Sequence, residues 1–196
     1  MDVSIIVATF GDNSWINIAD NYALHSTKYN FPDIPLVRVH GGSTLAEARN
    51  AAADLVRTEW MCFLDADDEL DKDYFDEMSK ATGDLRVPRL LFSTYNGWKE
   101  PFDLSKRDID YSNPCPIGTL IKTSMFEDVG GFWEEPAYED WSLFRRAWLL
   151  GATIEHTDAR YYAYNLGGRN SSVTEPAGEI EKIRSSHDKW IKELKV

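Results

Sequence analysis

The sequence predicts an α/β fold, a single domain with a mostly parallel central sheet flanked by helices. Short, continuous apolar runs recur at residues 3–10, 35–40 and 60–64, as is typical of strands covered on both faces. Stretches with apolar residues at helical spacing separate these runs, and strands that alternate with helices favour parallel pairing. A length of 196 residues and a hydrophobic content of 43% suffice for one domain with its own core.

The first half of the chain is the more regular. The run VSIIVATF predicts a first strand, PLVRVH a second and WMCFL a third. Helices are expected at 14–29, 44–57 and 71–81, because apolar side chains recur there at helical spacing. Ligands bind open α/β sheets beyond the carboxyl ends of the strands, so we expect a site where these three strands end.

The second half is less periodic. It predicts strands at 89–95 and 118–122, two short strands in ATIEH and RYYAYN, and helices at 139–150 and 177–194. A long connection of low periodicity, about residues 96–117, carries Asn113, Pro114 and Pro116. A connection of that length without regular structure usually either has a function or is disordered.

The charge distribution narrows the range of partners. The net charge is −12, and residues 54–84 hold eleven acidic residues against three basic ones. An acidic protein repels a phosphate backbone, so duplex nucleic acid is not expected as a general partner. The start MDVSIIVATFGD has no basic leader, and no stretch approaches ~20 apolar residues. We therefore expect no transmembrane segment and a cytoplasmic location. Cys62 and Cys115 lie outside any CxxC pattern and are expected to be buried.

The segment WMCFLDADDELD places five carboxylates within seven positions, directly after a predicted strand. A solvated helix start would tolerate them, because acids favour helix N-termini. A calcium loop counted from Asp65 fails, since Leu70 and Asp76 stand where an EF-hand needs Gly and Glu. A phosphatase with Asp65 as nucleophile and Asp67 as acid/base is a weaker alternative, because two further acids follow where a phosphate must enter.

We favour a fourth interpretation, in which Asp65 and Asp67 form a D-x-D pair at a strand end. Carboxylate oxygens are hard ligands that suit Mg²⁺ or Mn²⁺. A cation held by few protein ligands can take its others from a diphosphate and neutralise charge on a departing nucleoside diphosphate. A shared cation explains how so many like charges are tolerated together. The Asp-x-Asp motif by itself is short and recurs by chance.

Four stretches resemble family 2 glycosyltransferases with the GT-A fold, in the order of that family. They are VSIIVATFGD, LAEARNAAADLVRTEWMCFLDADDELDKDYF, GTLIKTSMFEDVGGFWEE and YEDWSLFRRAWLLGATI, which together span residues 3–156. The resemblance implies a nucleotide-sugar-binding half at 1–84, an acceptor and catalytic half at 85–175 and a C-terminal helix at 176–196.

The resemblance also implies roles for single residues. Asp140 would be the catalytic base, with Glu139 beside it contacting acceptor or donor sugar, and Asp67 would bind the metal. The residues implied in donor binding are Thr9, Phe10, Gly11, Arg49, Asp65 and Ala66. Aromatic side chains that would stack on sugar or acceptor are Trp98, Trp133 and Tyr138, whereas Trp141 fits the core equally well.

The function implied by the resemblance is metal-dependent transfer of a hexose-like sugar, with inversion, from a nucleotide-sugar donor to a hydroxyl acceptor. Mn²⁺ or Mg²⁺ is the implied cofactor and a UDP-sugar the favoured donor. The chain departs from the family where VHGGSTLAEARN replaces an Asp-rich turn after the second strand, with His40 near the expected acid. YYAYNLGGRNSSV also lacks the family's further metal-ligand His, although His156 is nearby. A non-catalytic module that binds nucleotide sugars or glycans is the alternative function.

Overall fold

The computed structural model describes residues 1–100, 103–135, 137–164 and 178–194. Within these residues eight strands form one sheet: β1 (Val3–Thr9), β2 (Leu36–His40), β3 (Trp60–Phe63), β4 (Glu69–Leu70), β5 (Leu85–Thr94), β6 (Gly97–Lys99), β7 (Leu120–Lys122) and β8 (Ile154–Ala163). The α-helices of the same residues are α1 (Ser14–Asn21), α2 (Ala23–Asn30), α3 (Leu45–Ala53), α4 (Tyr74–Ser79), α5 (Thr123–Asp128), α6 (Glu139–Leu149) and α7 (Glu179–Leu194). A single 3₁₀ turn covers Leu104–Lys106. The expected α/β class is confirmed.

The sheet is mixed rather than mostly parallel. Its strand order is β2-β1-β3-β7-β5-β8-β4, and β6 pairs with β5. Strand β1 is parallel to β2 and β3, and β5 is parallel to β8, whereas the other four pairings are antiparallel. The parallel expectation holds for the first half, where helices connect the strands. In the second half it holds for β5 with β8 but not for β5 with β6 or β7, and the two-residue turn between β5 and β6 allows antiparallel pairing.

Three parallel strands bring their carboxyl ends to one edge of the sheet. Strand β1 is buried along its whole length between β2 and β3. Its last residue, Thr9, lies opposite His40 at the end of β2, and β3 ends at Phe63, two residues before Asp65. The acidic segment therefore begins at the edge where open α/β sheets bind their ligands.

Two predicted elements differ from the observed ones. The helix predicted at 14–29 is two helices, because Tyr22 leaves helical geometry (φ −115°, ψ −87°) and packs its ring on Tyr164 at 5.0 Å. The two short strands predicted near the end are one strand, β8, whose pairing with β5 is irregular between Val87 and Arg89. Pro88 lies at this irregularity, and a proline has no N–H to donate to a ladder.

The long connection contacts helix α6 through Ile109 and Asp110. Trp141, only 1% exposed, donates from its indole nitrogen to the carbonyl of Ile109 at 2.7 Å. Arg145 forms an ion pair with Asp110 at 2.7 Å. Trp141 is thus a core residue, one of the two possibilities that the sequence left open.

The C-terminal helix α7 also packs on α6. Its buried His187 lies 3.0 Å from the hydroxyl of Ser142, and Trp190 contacts Trp133 edge-on with ring centres 6.0 Å apart. In the part of the chain that the structure describes, no helix has both the length and the apolarity needed to cross a bilayer.

Candidate active site

Helix α3 carries the first candidate residue, Arg49, and its start is fixed by local sequence. The Thr44 hydroxyl accepts a hydrogen bond from the N–H of Glu47 at 3.1 Å. The Glu47 carboxylate in turn accepts from the N–H of Ser43 at 2.5 Å. This arrangement resembles a capping box, which satisfies backbone donors at a helix start and here sets the register of α3.

Arg49 joins the two halves of the chain at the site. The residue is 3% exposed, and its guanidinium donates to Asp65 at 2.6 Å and to Glu139 at 2.7 Å. The ring of Phe132 lies below it, with 5.1 Å between the guanidinium carbon and the ring centre. Burial disfavours the charged form, but the two adjacent carboxylates raise the pKa of Arg49 above its ordinary value. Arg49 is therefore a fixed cation between Asp65 and Glu139.

The carboxylates of the D-x-D segment have different surroundings. Asp68, 6% exposed, accepts from the Tyr161 hydroxyl at 2.8 Å and from the Tyr164 N–H at 2.9 Å. Asp67 is 7% exposed, and no side chain in the described ranges donates a hydrogen bond to it. Burial, and then repulsion by Asp65, raise the pKa of Asp67 to about 6. Asp68 is thus held by a hydroxyl and a backbone N–H, whereas among the described residues Asp67 has no side-chain donor.

Tyr161 of β8 holds the segment in place. Its hydroxyl accepts from the N–H of Asp65 at 3.2 Å while donating to Asp68. Gly118 (φ +97°) makes the approach possible, since a Cβ there would lie 2.3 Å from the Tyr161 ring. The same Gly118 carbonyl accepts from the Tyr74 hydroxyl at 2.6 Å.

Helix α6 places Glu139 and Asp140 at its start. Tyr138, just before the helix, is left-handed (φ 63°, ψ 32°), a conformation that costs free energy in a residue with a Cβ. Asp140 accepts from the Trp141 N–H at 2.7 Å and from the Asn113 side-chain amide at 2.8 Å. Burial, and then the Glu139 carboxylate, raise the pKa of Asp140 to about 7. A carboxylate of that pKa is suited to accept a proton near neutral pH.

A cavity of about 650 Å³ opens beside these groups. Its lining includes the aromatic residues Phe10 and Trp15 and five carboxylates, those of Asp65, Asp67, Glu134, Glu135 and Glu139. Lysine and arginine are absent from the described lining, and Arg49 lies next to it, paired with two of the acids. The volume lies within the range of ordinary small-molecule sites.

The structure brings together most of the residues predicted to bind donor and metal. Those that line the cavity are Thr9, Phe10, Asp65, Ala66, Asp67 and Glu139. Gly11 lies just beyond Phe10, exposed and with positive φ (73°). Asp140 follows Glu139 on α6, although it is not part of the lining itself.

The three aromatic residues predicted to contact acceptor lie outside the cavity lining. Trp98 is 41% exposed and contacts Tyr162 and Tyr164, with ring centres 4.7 and 4.9 Å away. One face of Trp133 is covered by Arg146, 4.1 Å from the ring centre. Tyr138 packs on Trp141. Trp98 is thus the most open of the three, and the role of each stays a prediction.

Sequence reasoning missed several groups at the site. The helical spacing of apolar residues predicts that Trp15 packs in the core, yet it lines the cavity together with Ser43 and Thr44. Glu134 and Glu135 also line the cavity, although the sequence pattern predicted no role for them. Tyr161 and Asn113 support the acids from distant segments, and neither has a sequence signal that could have identified it.

A second cavity, of about 660 Å³, lies apart from these residues. Its lining includes Lys80, Arg89 and His156 and none of the residues predicted for the site. His156, the possible additional metal ligand, therefore does not lie with Asp67.

The residues present fit a divalent cation only in part. Within the described residues there is no group of three or more His, Cys, Asp or Glu side chains that could hold a metal ion. A full cage of protein ligands is thus not formed there. The buried Asp67 carboxylate, to which no side chain of the described residues donates, instead fits a cation that takes most of its ligands from a bound diphosphate, as Mg²⁺ commonly does.

Known proteins resemble this chain in part of its sequence and in its fold. Residues 6–88 match the sequence model of the family described as Glycosyl transferase family 2. No curated protein matches the chain by sequence. Among solved structures, residues 1–349 of S. aureus TarS in complex with UDP-GlcNAc match with a TM-score of 0.69 at 17% identity. That match covers 95% of this chain and 66% of TarS 1–349.

A second structure of TarS 1–349, in complex with UDP, matches with a TM-score of 0.60 and 17% identity over 95% of this chain. The chain covers 65% of that protein, and so spans slightly less than two thirds of these relatives. At such identities the structural matches show the fold alone, and the family model matches only the segment from β1 to β5. The comparisons thus show a sequence match to glycosyl transferase family 2 over residues 6–88 and a fold shared with TarS over nearly the whole chain.

Proposed function

We propose that the chain is a metal-dependent glycosyltransferase domain that moves a sugar from a nucleotide-sugar donor to an acceptor hydroxyl, with inversion. The observation that carries this proposal is the cavity lined by five acidic side chains, beside which the buried Arg49 is already paired with two of them. Such a cavity repels a diphosphate unless a cation accompanies it. A UDP-sugar is the favoured donor, because the matched TarS structures contain UDP-GlcNAc and UDP.

In this proposal residues 1–84 bind the donor. Phe10 and Thr9 contact the base, while Asp65 contacts ribose or sugar beside Arg49. Asp67 is the protein ligand of Mn²⁺ or Mg²⁺, which when bound supplies positive charge to the leaving diphosphate. Arg49 cannot supply that charge alone, because Asp65 and Glu139 already neutralise it.

Residues 85–175 provide the acceptor side, and residues 176–196 the supporting C-terminal helix. The acceptor hydroxyl attacks the anomeric carbon of the donor as the Asp140 carboxylate takes its proton. A single displacement of this kind inverts the configuration. Glu139, fixed by Arg49, orients a sugar hydroxyl. Trp98 offers an exposed ring for stacking on a saccharide, and Trp133 and Tyr138 are weaker candidates.

The phosphatase alternative is weakened by the surroundings of Asp65. Its carboxylate is engaged by Arg49 at 2.6 Å, and the neighbouring Asp67 and Asp68 add negative charge where a phosphate would enter. The non-catalytic binding module has the same fold and differs only in turnover.

The deciding experiment is a thermal-shift screen of nucleotides and nucleotide sugars, each with and without Mn²⁺. A donor at 100 times its Kd adds about 2.7 kcal/mol. For a chain of this size that corresponds to a rise in Tm of about 5–10 °C. We expect this rise only when nucleotide and Mn²⁺ are both present, and hydrolysis of the same donor then separates an enzyme from a binding module. A nucleotide response that does not depend on the cation would contradict the metal-dependent proposal.

A further inference from the structure

Asn113 links the long connection to the candidate catalytic base. Its side-chain nitrogen donates to Oδ2 of Asp140 at 2.8 Å. Its side-chain oxygen accepts from the N–H of Cys115 at 2.9 Å. Because a backbone N–H can only donate, this second bond assigns the amide orientation, with the NH₂ group facing the carboxylate.

The segment that carries Asn113 is held at several points. Arg107 donates to the carbonyl of Asn113 at 3.0 Å, and the Trp141 indole donates to Ile109 at 2.7 Å. The next residue, Pro114, restricts the backbone of Asn113 to extended conformations. The amide is therefore presented to Asp140 by a backbone that is itself anchored to α6.

The surroundings of Asp140 explain why such a donor matters. Glu139 on the same helix and Asp65 after β3 are like charges that disfavour ionisation, and Arg49 on α3 favours it. The Cys115 thiol of the connection is buried, and burial raises its pKa, so it stays neutral. Trp141 donates its N–H to Oδ1 of Asp140, which leaves Asn113 as the donor to Oδ2.

We infer that Asn113 is a positioning residue for the proposed reaction, which fixes the rotation of the Asp140 carboxylate and favours its ionised form. Each carboxylate oxygen has two lone pairs, so one on Oδ2 stays available for the proton of an acceptor hydroxyl. A hydrogen bond to a charged form stabilises that form over the neutral one. This inference rests on the proposed function, in which Asp140 is the general base.

The test compares Asn113→Ala and Asn113→Asp with wild type across pH. The readouts are donor hydrolysis or transfer and the ¹³C-NMR titration of the Asp140 carboxyl group, assigned by its absence in Asp140→Asn. For Asn113→Ala we expect the Asp140 titration and the rising limb of the rate profile to move up by about one pH unit. The rate below pH 7 then falls about tenfold. Asn113→Asp has the same shape but adds a negative charge, so its shift is expected to be larger.

Ser112→Ala is the matched control. Ser112 precedes Asn113, and its hydroxyl donates within the connection to the carbonyl of Asp108 at 3.1 Å. This variant loses a local bond without touching Asp140, so its titration and rate profile are expected to match wild type. Mn²⁺-dependent UDP binding is expected to be unchanged in both Asn113 variants.

The outcomes separate this inference from the proposed function. An Asp140 titration that does not move in Asn113→Ala and Asn113→Asp overturns the inference, whatever happens to the rate or the stability. If Asp140→Asn retains wild-type turnover, the base assignment itself fails. The NMR titration needs no acceptor, so it decides the role of Asn113 even when turnover is too slow to measure.

Discussion

Arg49 and Glu139 are separated by 90 positions in the sequence, yet their side chains form an ion pair of 2.7 Å. The same guanidinium reaches Asp65 at 2.6 Å, so one buried cation connects helix α3, the D-x-D segment and the start of α6. Removing one partner of a buried pair leaves the other charges without compensation, which costs more than the pair contributes when intact.

We therefore expect Arg49→Met to destabilise the protein strongly. Methionine retains a long apolar side chain over Phe132 but leaves Asp65 and Glu139 facing each other without a cation. The loss is expected at about 3 kcal/mol, the lower end for a buried pair, because the Asp65 side chain is 35% exposed. Urea denaturation at pH 7.5 measures it.

The control for this variant is Arg38→Met. Arg38 pairs with Asp20 at 2.9 Å, but both side chains are more than one third exposed. Exposed pairs contribute about 0–1 kcal/mol, so this substitution should change little. Equal losses in the two variants would contradict the structural role assigned to Arg49.

Asp67→Asn is expected to stabilise the protein in the absence of metal. The pKa of Asp67 is raised from 3.8 to about 6, chiefly by burial, so the folded state binds its proton more tightly than the unfolded state. For a group raised in this way, stability is greatest below the unfolded pKa and falls as pH rises to the folded one. The free energy of unfolding of Asp67→Asn should exceed that of wild type by up to about 3 kcal/mol above pH 6.

The same variant should lose the effect of Mn²⁺ on nucleotide binding, since asparagine is a poor substitute for a charged ligand. Calorimetry of UDP with and without Mn²⁺ measures this, and Asp76→Asn, an exposed acid of α4, is the control. The stability gap should open between about pH 4 and 6 and stay constant above. If Asp67→Asn exceeded wild type by the same free energy of unfolding at pH 3.5, the added stability would have a cause other than loss of the buried charge.

The main parts of the fold and site follow from the sequence because they depend on local pattern. Continuous apolar strands fix where β1 and β3 end, and chain connectivity then places Asp65 and Asp67 at the carboxyl edge of the sheet. The Glu-Asp pair at the start of α6 was likewise readable as the first turn of a periodic helix.

The supporting contacts could not be predicted, because no periodicity encodes them. Tyr161 is separated from Asp68 by 93 positions, and Asn113 from Asp140 by 27. Each meets its carboxylate only through the mixed pairing of β8 or the path of the long connection. The break of the first helix at Tyr22 has a similar origin, since the contact of that ring with Tyr164 is tertiary. Local propensity is overridden there by packing.

Tyr161→Phe tests how much the D-x-D segment depends on β8. The phenyl ring still fits over Gly118, but the hydroxyl that bridges the Asp65 N–H and the Asp68 carboxylate is lost. A buried acceptor that loses its donor costs about 1–3 kcal/mol, which urea denaturation can measure. Tyr29→Phe is the control, because that ring is 83% exposed. A loss no larger than that of the control would mean that Tyr161 acts only through its ring.

The last prediction concerns the two acids at the start of α6. A hydroxyl is a weak nucleophile until its proton begins to leave, so the base must be ionised and must also accept a proton readily. Burial and Glu139 raise the pKa of Asp140 to about 7, which satisfies both needs near neutral pH. The rate should therefore rise with pH through about 7 and level off above it. Asp140→Asn keeps the shape but cannot accept the proton, and it should lower transfer or donor hydrolysis by ~10²–10⁴-fold.

Glu139→Gln is the matched comparison, since it neutralises the adjacent acid on the same helix turn. It loses the ion pair with Arg49, so we expect weaker donor or acceptor binding and a smaller loss of rate than in Asp140→Asn. It also removes the like charge beside Asp140, which should move the rising limb of the profile to lower pH. Single-turnover rates, measured alongside Mn²⁺-dependent donor binding, separate the two effects. Wild-type turnover in Asp140→Asn, or a larger rate loss in Glu139→Gln, would reverse the assignment, because the proton acceptor would then be Glu139.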